Sequence, residues 1–83
     1  MQTEILDKQQ IGSLCYTMLR SYTAQDGLST VSVYGIGIES PDNTVIVEDI
    51  SDDYCGIRNL FDLIVAEVLF PEHLYDVVED YLS

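Results

Sequence analysis

The sequence predicts an α+β domain, built as a three-stranded antiparallel β-meander followed by two C-terminal helices packed on one face. Segments rich in β-branched and aromatic residues, separated by turn residues, fill the first half of the chain. Two segments with helical spacing of apolar residues fill the second half, and Pro71 separates them. The 83 residues suffice for one domain. We assign residues 13–83 to it and leave residues 1–12 as an N-terminal tail or a short added strand.

The three predicted strands span residues 13–23, 28–40 and 44–49. The first has incomplete alternation, so a helix over residues 8–20 stays open as an alternative. A Gln25-Asp26-Gly27 turn favours a hairpin between the first two strands, and a second short turn continues the meander.

Two glycines stand on one side of the second predicted strand. Gly35 and Gly37 share a side by alternation, whereas Tyr34, Ile36 and Ile38 point the other way. Glycine in a strand often marks close approach by another group. We expect the large side chains of the facing helix to lie over this bare strip.

The first predicted helix is the core of the domain. Ser51 is the expected N-cap, and the helix begins at Asp52 or, because Gly56 weakens the first turns, nearer Ile57. It ends near Leu69, because Pro71 cannot continue it. Its apolar face is spaced at i, i+3, i+4, i+7, i+8 and i+11: Ile57, Leu60, Phe61, Ile64, Val65 and Val68.

The second predicted helix starts at Pro71, a favourable first residue. Its apolar residues repeat the same spacing: Leu74, Val77, Val78, Tyr81 and Leu82.

The charge is strongly acidic and unevenly spread. Fifteen Asp and Glu oppose three Lys and Arg, for a formal net charge of −12. Residues 39–83 contain twelve of the acids, and Arg58 alone opposes them. This excess argues against direct binding to nucleic acid or to an anionic membrane, because phosphates would be repelled. It permits docking on a basic protein surface, and its simpler interpretation is solubility.

No motif predicts catalysis, a cofactor or a metal site. The Asp49–Gly56 stretch fails as a calcium loop, because Tyr54 and Leu60 occupy the positions that need glycine and glutamate. His73 and Asp76 are too few to bind zinc. We therefore predict that the protein is not an enzyme.

The two cysteines, Cys15 and Cys55, match no metal or redox spacing. Two buried thiols in a reducing cytosol are the simpler interpretation, with a disulfide as the alternative. The N-terminus lacks the apolar run of a signal peptide, and no stretch is long enough to span a membrane. We therefore expect a cytoplasmic protein.

A candidate partner-binding surface lies in the C-terminal half. Glu72, Asp76 and Asp80 repeat every four residues, and like charges at this spacing disfavour an isolated helix. Such a row gains nothing locally, which favours a role toward a partner. The predicted partner-binding residues are Asp62, Glu67, Glu72, Tyr75, Asp76, Glu79 and Asp80.

Three stretches together resemble a known family: Tyr34-Gly35-Ile36, Asp49-Ile50-Ser51 and His73–Leu82 (HLYDVVEDYL). The family comprises small proteins from clostridia and related Firmicutes, grouped as a domain of unknown function. The resemblance covers roughly residues 14–83. It implies a bacterial or phage-encoded cytoplasmic protein of similar layout, and it brings no activity, cofactor or catalytic residues.

The leading functional hypothesis is a non-enzymatic acidic module that binds a basic protein. A sharper version is an inhibitor that mimics nucleic acid, as acidic phage inhibitors of bacterial defence systems do. The alternative is a small structural or regulatory homodimer, formed through the open edge of the sheet or through Leu69 and Phe70, with acidity serving solubility only.

Overall fold

The computed structural model describes residues 2–23 and 31–82. Within them the chain forms one antiparallel sheet of four strands in the order β1-β2-β3-β4, followed by two helices. The α+β class and the meander are confirmed, but the prediction of three strands is wrong, since the N-terminal segment adds a fourth. The strands are β1 (Gln2–Ile11), β2 (Leu14–Thr23), β3 (Val31–Glu39) and β4 (Thr44–Ser51). The predicted Gln25-Asp26-Gly27 turn lies outside the described residues.

Strand β1 occupies one edge of the sheet. It pairs with β2 from Gln2 opposite Tyr22 to Ile11 opposite Leu14, with a register shift between Ile5 and Asp7. Since residues 8–20 belong to these two strands and their turn, the alternative helix over that range is wrong.

The first helix, α1 (Tyr54–Ala66), begins later than predicted. Ser51 is the last residue of β4, and its hydroxyl accepts a hydrogen bond from the amide of Asp53 at 3.0 Å. Asp53 is the N-cap, with no side-chain capping bond. The predicted Ser51 cap and the start at Asp52 are therefore wrong by two residues, because the β4 ladder runs further than its sequence pattern indicated.

Helix α1 also ends earlier than predicted, at Ala66 rather than near Leu69. Val68 takes a left-handed conformation with φ of 50°. Its amide donates to the carbonyl of Val65 at 3.1 Å, and the amide of Leu69 donates to the carbonyl of Ile64 at 3.2 Å. This pair of bonds is the Schellman motif, which terminates helices and usually places glycine at the left-handed residue.

A 3₁₀ turn at Pro71–His73 leads into the second helix, α2 (Leu74–Leu82). Pro71 begins this turn, whereas the sequence predicted it as the first residue of the second helix, which begins at Leu74. Leu74 and Val78 are the buried residues of α2.

The core lies between the helices and one face of the sheet. Tyr16, Ile36 and Ile38 are fully buried there against Ile57 and Ile64 of α1. The Tyr16 hydroxyl donates to the Leu69 carbonyl at 2.9 Å, which ties β2 to the segment after α1. Burial raises the pKa of the Tyr16 phenol above its ordinary value.

The expectation that a helix covers the glycine strip is wrong. Gly35 and Gly37 pair with Leu19 and Thr17 on the side of the sheet that faces away from both helices. The helices cover the side with the large residues, because that side offers more apolar area to bury. We call the other side the open face, defined by Ile5, Thr17, Leu19, Gly35, Gly37 and Ile46.

Candidate functional site

The predicted partner-binding residues are all exposed on the helical layer. Leu74 and Val78 of α2 point into the core, so the acids between them point outward. Their exposure agrees with the sequence prediction, and their role in binding stays a prediction. We call this outward side the acidic helix surface, defined by Glu67, Glu72, Tyr75, Asp76, Glu79 and Asp80.

The acidic helix surface has a regular core. Asp76 and Asp80 lie four residues apart on α2, which corresponds to a rise of about 6 Å, and Glu72 of the 3₁₀ turn precedes Asp76 by four residues. Tyr75, 60% exposed, stands beside this row. The arrangement places regularly spaced carboxylates next to an aromatic ring, and tyrosine is enriched at protein interfaces.

Asp62 does not belong to this surface. Its carboxylate lies 3.5 Å from Nε of Arg58, and the same guanidinium donates to Asp7 of β1 at 2.7 Å. The Arg58 hydrogen bond lowers the pKa of Asp7, and the Asp7 carboxylate in turn raises the pKa of Arg58. Asp62 therefore lies on the side of α1 that faces β1, with its charge partly compensated.

A groove between α1 and α2 borders the acidic helix surface. Leu60 and Leu63 line it from α1, and Val77, Asp80 and Tyr81 line it from α2, around a volume of about 380 Å³. Leu63 is 51% exposed. The groove offers apolar contact area directly beside the carboxylate of Asp80.

Gly56 shapes one end of this groove. A β-carbon at residue 56 would collide with the Tyr81 hydroxyl, so the glycine allows Tyr81 to lie across the first turn of α1. Sequence reasoning treated Gly56 only as a weak point of the helix and did not find the groove. The available signal was Leu63, a leucine outside the predicted apolar face of α1.

A second acidic cluster was also missed by the sequence analysis. Glu48, Asp49, Asp52 and Asp53 are exposed where β4 leads into α1. Asp49 has a left-handed φ of 55°, beside the irregular pairing of β3 with β4. The signal is four acids within six residues, a stretch that fails as a calcium loop and otherwise reads as a strand end and a helix start.

Of the two residues predicted for a dimer contact, Leu69 and Phe70, only Phe70 is exposed to a partner. Leu69 packs against the core, and its carbonyl is bonded by Tyr16. Phe70 is 51% exposed.

No metal-ligating cluster is found in the described part of the chain: no three His, Cys, Asp or Glu side chains there converge on a common point. His73 and Asp76 are both exposed. Cys15 and Cys55 are free thiols. The prediction of two buried thiols is wrong, because Cys55 is exposed at the start of α1 and Cys15 is only half-buried.

A family model matches the chain over residues 1–83. The chain belongs to DUF6514, a family of unknown function. This confirms the resemblance to such a family that the three sequence stretches indicated. No curated protein and no solved structure matches the chain. Within residues 2–23 and 31–82 of this DUF6514 chain, neither helix has the length and apolar run that crossing a bilayer requires.

Proposed function

We propose that this protein is a non-enzymatic binding module that docks on a basic protein through its acidic helix surface. One observation carries the proposal. The acids of α2 and of the turn before it are exposed on one outward side, and residues 59–83 contain no lysine or arginine. A surface of one sign attracts a complementary surface and accelerates the encounter with it.

The nearest cation on the helical layer does not neutralise this surface. Arg58 is the only lysine or arginine of α1 and α2. Its guanidinium contacts Asp7 and Asp62 on the β1 side of α1. Within the part of the chain that the structure describes, Asp76 and Asp80 form no salt bridge, so the charge of these two carboxylates is available to a partner.

The groove between α1 and α2 supplies apolar contact area, which adds affinity that charge alone does not provide. Exposed ion pairs contribute little affinity, whereas a few well-packed apolar or aromatic side chains dominate most interfaces. Leu63 and Tyr81 beside Asp80 offer such a contact. A partner segment that combines basic and apolar residues would use both features at once.

The finer proposal is inhibition by nucleic-acid mimicry. The row of Glu72, Asp76 and Asp80 presents negative charge at regular intervals, as a phosphate backbone does. A protein whose lysines and arginines bind phosphates would meet comparable charges here. Binding at that site would exclude DNA or RNA from it.

Affinity capture from a lysate of the source cell tests the proposal. The bait with Glu72→Gln, Asp76→Asn and Asp80→Asn is compared with a control bait carrying Asp42→Asn, Glu48→Gln and Asp52→Asn. Both variants lose three negative charges, and all six positions are exposed. We expect a basic protein to be retained by the native and control baits, and to be lost with the first variant and in high salt.

Two results would contradict the proposal. Equal loss with both variants would mean that net charge rather than the acidic helix surface controls capture. If neither high salt nor either variant reduced the amount of partner captured, the contact would lie outside the acidic helix surface. Once a partner is captured, a DNA oligonucleotide tests the mimicry: competition with the module supports it, and simultaneous binding refutes it.

A further inference from the structure

The groove between α1 and α2 has an apolar lining that reaches the surface. Leu60 and Leu63 come from α1, and Val77 and Tyr81 come from α2, around a volume of about 380 Å³. Leu60 is 5% exposed and Leu63 is 51% exposed, so the lining runs from a buried base to an open wall. Val77 and Tyr81 are half-buried. The groove therefore offers apolar area that a docked partner would remove from water.

Carboxylates border the groove on both helices. Asp80 lines it, and Asp76 lies one turn earlier on the same side of α2. Glu67 follows Leu63 by four residues, which places it on the same side at the C-terminal end of α1. All three acids are exposed, and none forms a salt bridge within the described part of the chain. The apolar lining thus lies between negative charges.

We propose that this groove binds an amphipathic basic helix of a partner protein. The apolar stripe of that helix packs on Leu63 and Val77, and its lysine or arginine side chains meet the carboxylates of Glu67, Asp76 and Asp80. The inference rests on the proposed docking of the acidic helix surface on a basic protein. It adds which element of the partner makes the contact.

The walls of the groove select a helix over an extended segment. They are side chains of two α-helices, and the interior backbone groups of each helix are bonded within it. An extended segment in the groove would bury its own N–H and C=O groups against apolar side chains without partners, which costs free energy. A helix satisfies these groups internally and presents only side chains to the groove.

Charge selects a basic helix. The residues that flank the apolar stripe of an amphipathic helix are its charged ones, and here they would meet Glu67 on one side and Asp76 and Asp80 on the other. Lysine or arginine at these flanks is complementary, and acids there would be repelled. A second copy of this chain does not meet this requirement, because acids rather than lysines flank the apolar stripe of its own α2.

The groove is small, so a few residues of the partner helix should dominate the affinity. Its volume of about 380 Å³ is near the lower limit of about 300 Å³ for ligand pockets. Side chains at i, i+4 and i+7 of a helix project to one side. We expect about two or three apolar residues at such positions to be the anchors, while the basic residues beside them fix the orientation.

Fluorescence anisotropy of three synthetic peptides with the full chain tests the inference. The amphipathic peptide has about 14 residues, with leucines at helical spacing on one face and lysine and alanine elsewhere. The scrambled peptide has the same composition with its leucines spread around the helix. The proline peptide has one central alanine replaced with proline, which breaks the helix and keeps the charge. At low salt the amphipathic peptide should bind at least about tenfold more tightly than either control, and difference circular dichroism should show that it gains helix.

Two variants of the chain locate the contact. Leu63→Gln removes apolar area without changing the charge, and should weaken binding of the amphipathic peptide about tenfold. Ile46→Thr is the matched control, because Ile46 is 52% exposed on the open face of the sheet, and it should leave binding unchanged within about twofold. Asp76→Asn combined with Asp80→Asn should weaken binding at least about threefold at low salt, and less in high salt.

The outcomes separate this inference from the proposed function. Absence of binding, equal binding of the three peptides, no gain of helix, or equal effects of Leu63→Gln and Ile46→Thr would each overturn the groove as a helix site. If the three peptides bind equally and the double Asn variant weakens all of them, the acidic helix surface still attracts basic chains, and the proposed function stands without this inference. Binding that neither salt nor the double Asn variant alters would overturn both, because charge would then not select the partner.

Discussion

Replacing Gly35 with alanine tests why strand β3 has two glycines on its open face. A β-carbon at residue 35 would lie 2.5 Å from the Val47 carbonyl oxygen and 2.9 Å from Cα of Glu48. Both atoms belong to the backbone of β4, at the irregular pairing between the two strands. Neither atom can turn aside, so the substitution forces β4 away from β3 or breaks their local hydrogen bonds.

Gly37, two residues further along the same face, is the matched control. A β-carbon there would lie 3.1 Å from Cγ1 of Ile46, which is a side-chain atom. Ile46 is 52% exposed and has room to turn. The same chemical change therefore meets a rigid neighbour at one position and a movable neighbour at the other.

The two substitutions should differ by about 2 kcal/mol in the free energy of unfolding. Overpacking against fixed atoms costs about 1–3 kcal/mol, to which the disturbed β3–β4 pairing adds. Replacing glycine in a strand returns about 0.5–1 kcal/mol. We expect Gly35→Ala to destabilise the domain by about 2 kcal/mol and Gly37→Ala to change its stability by less than about 0.5 kcal/mol.

Urea unfolding followed by circular dichroism, at one fixed protein concentration, measures both values. In a domain of this size, a loss of 2 kcal/mol corresponds to a melting temperature lower by roughly 8–16 °C. Equal tolerance of the two alanines would refute the close approach of β4 to Gly35. Equal destabilisation would mean that Ile46 is held as firmly as the backbone.

Two further predictions concern single residues whose surroundings the structure defines. Val68→Gly should stabilise the fold by about 1 kcal/mol, because a β-branched residue at a left-handed φ is strained and its side chain is partly exposed. In the same urea titrations Ala66→Gly, at the last residue of α1, should destabilise, by up to about 1 kcal/mol; the reverse order would disprove the strain. Arg58 lowers the pKa of Asp7, so the stability that Asp7 contributes is present above its ordinary pKa of about 3.9 and is lost as pH falls through the lower folded value. Urea midpoints between about pH 5 and pH 2 should therefore depend less on pH in Asp7→Asn and in Arg58→Gln than in the native chain. An unchanged dependence in both variants would exclude this ion pair as its source.

The sequence located the core well, because burial leaves a periodic pattern. Ile57, Leu60, Phe61 and Ile64 are the buried residues of α1, at the predicted spacing. Pro71 marked the start of the last helical segment for a covalent reason that tertiary structure does not override. Such signals are local, and they were sufficient to predict two helices after a β-meander.

The sequence left residues 1–12 open between a tail and a short added strand, because an edge strand leaves little apolar pattern. The sequence of β1 is largely polar, and the shift between Ile5 and Asp7 interrupts the alternation. Backbone bonds to β2 hold it in place, and such bonds leave no trace in side-chain composition. The end of α1 was missed for a related reason. Val68 and Leu69 continue the apolar spacing, yet Val68 adopts the conformation in which glycine is expected.

The candidate sites also differ in how far the sequence could predict them. Charge is a property of single residues, so the acids of α2 were found directly. The groove and the open face depend on which elements lie side by side. Leu63 meets Val77 only because α1 and α2 are neighbours, and Ile5 meets Leu19 only because β1 joins the sheet.

Docking of the acidic helix surface on a basic protein is an attraction between unlike charges, so added salt weakens it. Neutralising Glu72, Asp76 and Asp80 removes that attraction, whereas the same loss of three charges at Asp42, Glu48 and Asp52 leaves it in place. The comparison of the two variants therefore separates a local surface from the net charge of the chain.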